Sequence, residues 1–414
     1  MKRTAITAPV GSFESLMSAI QSGADSVYFG VGVLNMRARS SVNFSLPDLV
    51  KITRICRKHK VKAWLTLNTV IYDQELRLMK KTVDSAKKNG IDAIIASDQA
   101  VIQYARSVDM PVHMSTQANI SNLEAVRYWS RYADVMVLAR ELDLRQVSAI
   151  TRAIRREHLH GPSGKPVQIE IFAHGALCMA ISGKCYLSLD LYNASANRGA
   201  CYQVCRRPYT VTDREGEVEL EVDNEYIMSP KDLCTIGFLD KISAAGVSVL
   251  KIEGRGRSPE YVKTCVSCYK EAVNALSEGS YTTEKIDAWT LRLKSIYNRG
   301  FWEGYYLGRK TGEWAVKHGS VATESKEYSG KVINYFSRLK VAEIKMESGT
   351  LKPGDRIFIT GPTTGVIEMC IPEIRVDLKP VKKTIKGERC SIPVELFLRR
   401  SDKVYKIIPA TRET

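Results

Sequence analysis

The sequence predicts an α/β protein: a (β/α)8 barrel carrying a cysteine-rich insertion, followed by a small all-β barrel domain. Over roughly the first 275 residues, short β-branched runs alternate with amphipathic stretches, and repeated β-α units of this kind imply a parallel sheet. After about residue 318, β-like runs separated by Gly and Pro turns follow one another without helical patterns between them. The chain of 414 residues is also longer than a usual single domain.

Eight strand candidates precede residue 275, and eight β-α units favour a closed, TIM-like barrel over an open sheet. They span 5–9, 26–30, 63–68, 93–97, 112–117, 135–140, 169–174 and 247–253. The connection at 175–246 is far longer than the usual few residues. We therefore predict a catalytic barrel at 1–318 with an insertion at 175–246, and a β-barrel domain at 319–414 as an RNA-contacting module.

Polar side chains end these strand candidates, and the carboxyl ends of barrel strands are where barrel enzymes carry out their chemistry. The candidates at these ends are Asn68, His113, Arg140, Glu170, His174, Lys251, Glu253 and Arg255. Alternate residues of a barrel strand face the helices, so Glu170 or Glu253 could be structural, and Glu253 is the preferred functional carboxylate. His113 and His174 are candidate proton donors or acceptors near neutral pH.

The charge balance favours a polyanionic partner. Lys and Arg number 61 against 45 acidic residues, a net charge of +16, and such a surplus attracts nucleic acid through counterion release and electrostatic steering. The excess is spread over both predicted domains, so a basic tail is excluded as the sole binding device. The N-terminal stretch lacks the apolar segment of an export signal, and no run approaches a bilayer span. We expect a cytoplasmic protein without membrane contact and without an evident stable protein partner.

Five of the ten cysteines lie between residues 178 and 234. The numbers of residues between successive cysteines are six, fifteen, three and twenty-eight, in the order Cys178, Cys185, Cys201, Cys205 and Cys234. In a reducing compartment such a group indicates metal or redox chemistry rather than disulfides. The spacing suits an iron-sulfur site, while zinc, which prefers CxxC pairs, and buried free thiols stay open as alternatives.

Three segments resemble the collagenase-like peptidase family U32: EIFAHGALCMAISGKCYLS, NRGACYQVCRRPY and LKIEGRGRSPEY. Within that family the chain is most similar to the prephenate-dependent tRNA uridine 5-hydroxylases. The resemblance implies formation of 5-hydroxyuridine at wobble position 34 of tRNA, with prephenate as cosubstrate and a 4Fe-4S cluster as cofactor. Related members hydroxylate a cytidine of 23S rRNA or take part in ubiquinone hydroxylation, and both remain alternatives.

The resemblance also implies roles for individual residues. The implied cluster ligands are Cys178, Cys185, Cys201 and Cys234, with Cys205 left over or replacing Cys201 or Cys234. Because prephenate is a dicarboxylate, cationic side chains at the barrel mouth are its expected partners: Arg37, Arg140, Arg198, Lys251 and Arg255. In the insertion, Arg206 and Arg207 are expected to hold RNA phosphates, and Tyr186, Tyr192, Tyr202 and Tyr209 to stack on bases.

The peptidase activity in the family's name is a second functional hypothesis, and the sequence gives it little support. It shows no HExxH zinc motif and no nucleophile with an assigned base and orienting group. A cysteine peptidase needs one thiol activated by a histidine, whereas here several thiols occur as a set. Collagen cleavage would also require export, for which no signal is evident.

Overall fold

The computed structural model describes residues 3–39, 43–180, 184–210, 226–309 and 312–410. Its first sheet contains ten strands: β1 (Ala5–Pro9), β2 (Ser26–Gly30), β3 (Lys62–Leu67), β4 (Ala93–Ala96), β5 (Val112–Met114), β6 (Val135–Val137), β7 (Gln168–Gly175), β8 (Asp232–Cys234), β9 (Val249–Ile252) and β10 (Phe301–Trp302). β1 to β7 pair in sequence order and in parallel, and β9 pairs in parallel with both β1 and β7. These eight strands close a barrel, which confirms the predicted fold.

Among the described residues, ten α-helices surround or follow the barrel strands: α1 (Phe13–Gln21), α2 (Asp48–Lys58), α3 (Leu76–Lys88), α4 (Gln99–Ser107), α5 (Leu123–Trp129), α6 (Leu144–Arg156), α7 (Leu187–Tyr192), α8 (Leu239–Ala244), α9 (Pro259–Ser277) and α10 (Thr283–Ser295). Their sequences explain their positions. In α2 the buried residues are Leu49, Ile52, Thr53 and Cys56, the spacing of one helical face. At the start of α1 the Ser12 side chain accepts a hydrogen bond from the Ser15 amide, as a helix N-cap does.

Alternation along the strands separates two apolar regions. Val27 and Phe29 of β2 belong to the large core between strands and helices, whereas Tyr28 between them packs with Trp64 and Ile95 in a separate cluster. Successive side chains of a strand point to opposite faces, so this smaller cluster fills the barrel interior. The interior side chains that continue towards the carboxyl ends of the strands therefore form the floor of the barrel mouth.

A local irregularity changes the direction of one strand end. In the pairing of β7 with β9, Phe172 lies opposite Lys251 and His174 lies opposite Ile252, with the register shifting between the two pairs. β7 thus advances by two residues where β9 advances by one, and an extra residue of this kind in one strand is a β-bulge. Because a one-residue slip moves a side chain to the other face of a sheet, His174 does not follow Phe172 into the barrel interior.

The long connection between β7 and β9 is more than a loop. It includes α7, the short strand β8 and α8. β8 pairs antiparallel with the end of β7, so that Cys234 lies opposite His174, and β10 extends β8 in parallel. Parts of the predicted insertion, residues 181–183 and 211–225, lie outside the described residues.

The second sheet is entirely antiparallel and confirms the predicted all-β unit. Its eight strands are β11 (Glu324–Phe336), β12 (Val341–Met346), β13 (Arg356–Gly361), β14 (Gly365–Cys370), β15 (Arg375–Val376), β16 (Lys379–Pro380), β17 (Arg389–Pro393) and β18 (Lys403–Pro409). This β module has its own apolar core, which includes Ile344, Ile357 and Ile392. None of the helices in the described residues is long and apolar enough to cross a membrane.

Candidate functional site

A cavity opens at the carboxyl ends of the barrel strands. Strand ends and the segments after them form its floor, and the cysteine-rich insertion forms one wall. Of the residues singled out from the sequence, those lining it are Arg37, Asn68, Arg140, Lys251, Glu253, Arg255, Arg206, Cys178, Cys185, Cys201 and Cys205. The tertiary structure therefore brings together side chains that are more than 200 residues apart in the chain.

Glu253 is at the centre of the cavity floor. Its Oε1 accepts a hydrogen bond from Arg37 Nη2 at 2.8 Å, and its Oε2 accepts one from the Tyr28 hydroxyl at 3.0 Å. Burial opposes ionisation of the carboxyl group, but Arg37, Arg140 and Arg255 overcome this and lower the pKa of Glu253 to about 2. Glu253 is therefore a carboxylate at neutral pH, with no proton to donate and only weak basicity.

Two further cations of the floor are held by the protein itself. Lys251 Nζ lies 2.7 Å from Glu170 Oε1, and both side chains are buried. The Arg255 Nη1 donates to Asn35 Oδ1 at 3.0 Å and to Thr66 Oγ1 at 2.8 Å, and burial lowers the pKa of Arg255 to about 10. Both cations give the floor positive potential; an ion pair fixes Lys251 and two hydrogen bonds fix Arg255.

Lys251 and Arg255 bind partners within the protein, whereas Arg140 still has a donor available for a ligand. Its guanidinium lies over the Phe172 ring, 3.9 Å from the centroid, and its Nη1 donates to the Ala176 carbonyl at 3.4 Å. Its buried Nε has no hydrogen-bond partner within the described residues. A buried charged donor without a partner is costly, so Arg140 is well suited to receive an anionic ligand. Asn68, which bonds the Met36 amide and the Ser115 hydroxyl, shapes the same side.

Arg198 is placed differently from the other predicted substrate contacts. Its Nη1 and Nη2 donate to the two carboxylate oxygens of Glu75 at 2.9 and 2.6 Å. Its guanidinium also lies 3.9 Å from the Tyr72 ring centroid. This bidentate pair joins the insertion to the segment after β3, and Arg198 does not line the cavity.

The structure does not bring either predicted catalytic histidine to the cavity wall. His113 packs edge-on against Trp64 inside the barrel, with ring centroids 4.5 Å apart, and burial, aided by Lys251, lowers its pKa to about 3. The β7 bulge turns His174 towards α9, where its Nδ1 lies 3.4 Å from the Tyr269 hydroxyl. Burial lowers the pKa of His174 to about 3 as well, so both imidazoles are neutral near pH 7.

Four thiols line the wall that the insertion contributes: Cys178, Cys185, Cys201 and Cys205. Burial raises the pKa of Cys205; Arg206 opposes this rise, and the other three thiols add to it, which places all four in one electrostatic neighbourhood. Within the described ranges, however, no three His, Cys, Asp or Glu side chains are grouped so that they could hold a metal ion. The donor chemistry suits iron and sulfide, but the thiols do not form a ready-made ligand set.

Cys234, the fourth ligand implied by the family resemblance, does not line this cavity. Its Sγ lies 4.0 Å from the Tyr269 hydroxyl, next to α9, and burial raises its pKa to about 11. Cys265 and Cys268 of α9 are its thiol neighbours. The physical reason is the pairing of β8 with the end of β7, which places Cys234 beside the outward-turned His174.

The predicted RNA contacts separate into buried and exposed groups. Arg206 is partly buried and donates to the carbonyls of Leu177 and Pro230, both at 2.6 Å, so it links the insertion to the chain before β8. Tyr209 donates to the Val204 carbonyl at 2.8 Å. The exposed predicted contacts are Tyr186, Tyr192, Tyr202 and Arg207. The rings of Tyr192 and Tyr202 lie 5.4 Å apart, and Arg207 lies over Tyr192.

Sequence reasoning missed Tyr28 and Thr66, which hold Glu253 and Arg255 in place. Both lie inside strands, and only their polar groups within otherwise apolar runs could have drawn attention to them. It also missed Asn35, which follows β2 and has no distinguishing sequence pattern.

The fold and site define a class: a (β/α)8 barrel with a cationic mouth, a thiol-lined wall and an attached antiparallel β module. The family model for "Peptidase family U32" matches residues 11–316, and the chain belongs to that family. It is 59% identical to a protein of Porphyromonas gingivalis (strain W83) named "Collagenase", over 97% of each chain. It is 30% identical to the Bacillus subtilis "tRNA hydroxylation protein P1", over 87% of this chain and 84% of that protein.

A third relative is the Escherichia coli "23S rRNA 5-hydroxycytidine C2501 synthase". It is 34% identical over 67% of this chain, which corresponds to 40% of the longer E. coli protein. The family thus includes proteins named for RNA hydroxylation and proteins named for collagen cleavage. The names of these relatives alone do not decide between the two activities for this chain.

Proposed function

We propose that this protein is a tRNA-modifying enzyme that forms 5-hydroxyuridine at wobble position 34, with prephenate as cosubstrate and an iron-sulfur cluster as cofactor. One observation carries the proposal: the mouth combines an arginine that has an unpartnered buried donor, Arg140, with a wall of four thiols. The relatives named for hydroxylation of tRNA and rRNA support an RNA substrate.

The chemistry explains why such a mouth is needed. Replacing the C5 hydrogen of uridine by a hydroxyl group is a two-electron oxidation that incorporates an oxygen atom. No amino-acid side chain provides this reactivity, so a cofactor or reactive cosubstrate has to. Prephenate carries two carboxylates, and planar guanidinium groups bind carboxylates through paired hydrogen bonds. We assign Arg140 as its primary contact, with Lys251 and Arg255 adding positive potential.

Glu253 and Arg37 form a fixed ion pair at the mouth. Because the pKa of Glu253 is about 2, its carboxylate stays ionised at neutral pH and can orient Arg37 towards the substrate through their hydrogen bond. His113 and His174 lie outside the cavity wall and act on the reaction only through the packing of the barrel. Glu253 therefore acts as a positioning residue for Arg37, because its pKa lies too far below neutrality for an efficient general base.

The cluster would be held by Cys178, Cys185, Cys201 and Cys205, the four thiols that share the cavity wall. When bound, such a group supplies redox or Lewis-acid chemistry at the edge of the mouth. The protein contributes the wall itself: Arg206 fixes the backbone at Leu177, next to Cys178, through its hydrogen bond to the Leu177 carbonyl. Arg206 therefore positions the thiol-bearing segment rather than binding RNA.

The exposed aromatic residues give the target base a place to stack. An anticodon-loop base has to leave its stack to enter a barrel mouth, and loop bases are the least costly to unstack. Tyr192 and Tyr202 form an exposed pair on the insertion, with the Arg207 cation beside them. Aromatic faces and arginine are the usual means of holding single-stranded RNA, so we assign this trio to the anticodon loop.

Peptidase activity is the second candidate, favoured by the 59% identity to the protein named "Collagenase". The geometry of the thiols argues against it. All six histidines lie within the described residues, and none of them lines the cavity that contains the four thiols. A cysteine peptidase needs a histidine within hydrogen-bonding reach of its nucleophile, and the cavity wall provides none.

Nucleoside mass spectrometry tests the proposal directly. tRNA from a strain lacking this protein should lose 5-hydroxyuridine and the wobble nucleosides derived from it, and wild-type protein supplied in trans should restore them. Blocking prephenate synthesis in the complemented strain should remove them again. Two results together would establish the peptidase alternative instead. The nucleoside profile would be unchanged in the deletion strain, and the purified protein would cleave gelatin equally well with and without the Glu253→Gln substitution.

A further inference from the structure

The segment 377–389 of the β module carries a dense group of cations. Five of its residues are cationic and two are acidic. The cations, all exposed, are Lys379, Lys382, Lys383, Lys386 and Arg389. Nowhere in the described part of the chain does a carboxylate form an ion pair with any of the five. We call this segment the basic arm.

Some other cations of the β module are instead neutralised by carboxylates. Arg356 pairs with Glu324 and Glu368, and Lys406 pairs with Asp355 at 2.7 Å. Of the two carboxylates in the arm, Glu388 accepts a hydrogen bond from the Ile385 amide at 2.8 Å. The arm therefore presents positive charge that the fold does not neutralise, and such a surface fits a polyanion.

Two contacts fix the direction of the β module relative to the barrel. Lys326, near the start of β11, lies 2.7 Å from Glu260, at the start of α9 and just after the mouth segment 253–258. Gln21, at the far end of α1, donates to the Thr364 carbonyl at 3.1 Å. In a (β/α)8 barrel, helices begin at the mouth and end at the opposite face. The start of β11 is thus on the mouth side, and the 361–365 turn is on the opposite side.

Strand pairing then locates the basic arm. β12 runs antiparallel to β11 from Val341, opposite Phe336, to Met346, opposite Gly330 in the middle of β11, so the end of β12 points towards the start of β11. The Gly387 amide donates to the Met346 carbonyl at 2.9 Å. β14 runs away from the 361–365 turn, and the arm lies between β14 and β17. Both relationships place the arm at the mouth-side end of the β module.

The arm and the cavity therefore face the same side of the molecule. We propose that the basic arm contacts the phosphate backbone of the RNA whose base enters the mouth, at nucleotides outside the anticodon loop. This inference rests on the proposed function for the identity of the RNA. Arm contacts to phosphate carry no base information, so the arm supplies affinity and orientation while the mouth selects the base.

Salt-dependent binding of a tRNA transcript with uridine at its wobble position tests the proposal. The arm variant replaces Lys379, Lys382, Lys383 and Lys386 by Gln. A matched control replaces Lys58, Lys60, Lys88 and Lys165 by Gln; these four exposed lysines lie where helices end and strands begin, on the face opposite the mouth. Both variants lose the same charge, so bulk electrostatics changes equally in the two proteins.

The arm variant should bind about tenfold more weakly, and its slope of log Kd against log salt should fall by about 2 to 4, because each lost phosphate contact lowers it by about 1. The control should keep the wild-type slope. Equal slopes in the arm variant and the control overturn the proposal, as does a wild-type protein that binds no tRNA. If the arm variant behaves as the control while the nucleoside test succeeds, only the arm is rejected and the proposed function stands.

Discussion

Arg37 Nη2 donates to Glu253 Oε1 at 2.8 Å across 216 residues of sequence, and the two side chains are partly or largely shielded from solvent. The bond joins the loop after β2 to the segment after β9, which are not adjacent around the barrel, since β1 lies between these strands. Tyr28 reaches the other oxygen of the same carboxylate. The carboxylate is thus fixed by two elements before any substrate arrives.

Replacing Glu253 by Gln should lower hydroxylation by about 100-fold, because the carboxylate that orients Arg37 at the mouth is lost. It should also destabilise the fold by about 1 to 3 kcal/mol, since the charge-assisted hydrogen bond from Arg37 becomes a weaker one to a neutral amide. Turnover of tRNA and urea unfolding measure the two effects. Glu271→Gln, which breaks the exposed pair with Arg292 on the helical exterior, should leave turnover unchanged; a full-rate Glu253→Gln enzyme would exclude the assigned role.

Arg140→Met should raise the KM for prephenate by about 10- to 100-fold, the usual loss for a hydrogen bond to a charged group. Methionine retains the packing against Phe172 while removing the donor with no partner. Arg198→Met is the matched control, because the Arg198 guanidinium is already occupied by Glu75, and its KM for prephenate should stay near the wild-type value. Steady-state kinetics with saturating tRNA distinguish the two, and equal KM values would refute the assignment of Arg140.

The four-thiol wall predicts the outcome of cysteine replacement. Cys205→Ala should lose bound iron and sulfide and the visible absorption of the cluster when the protein is purified without air. Cys234→Ala should retain them, because Cys234 lies beside Tyr269 outside the cavity wall. Iron and sulfide analysis of both variants checks this. The opposite pattern would restore the ligand set that the family resemblance implied.

The buried, neutral imidazole of His113 should make the free energy of unfolding fall in acid. Its folded-state pKa of about 3 lies below the ordinary value of 6.5, so the unfolded chain binds more protons between these values and stability falls as pH drops below 6.5. At pH 4.5 the cost is about 2 to 3 kcal/mol relative to neutral pH. His113→Phe keeps a ring against Trp64 and should remove that part of the pH dependence. Urea unfolding at both pH values measures it; identical pH dependence in variant and wild type would contradict the burial argument.

The sequence was sufficient for the barrel strands because each is a short apolar run between helical patterns, and β1 and β2 have the bounds that the pattern predicted. It was less informative at strand ends. The candidate at 112–117 stops at Met114, where the chain turns into a short 3-10 helix at Thr116–Ala118. Polar residues after a strand indicate where a mouth is, but not which way each side chain points.

By itself, the sequence determined the architecture, the cationic balance and the presence of a thiol-rich insertion, because these follow from local periodicity, composition and spacing. Only the tertiary structure decided which side chains meet. The β7 bulge turns His174 outwards, the β8 pairing places Cys234 opposite His174 and outside the cavity wall, and Glu75 occupies Arg198. Each outcome depends on contacts between distant segments, and local sequence patterns do not encode the partner that a charged or polar group finds when the chain closes.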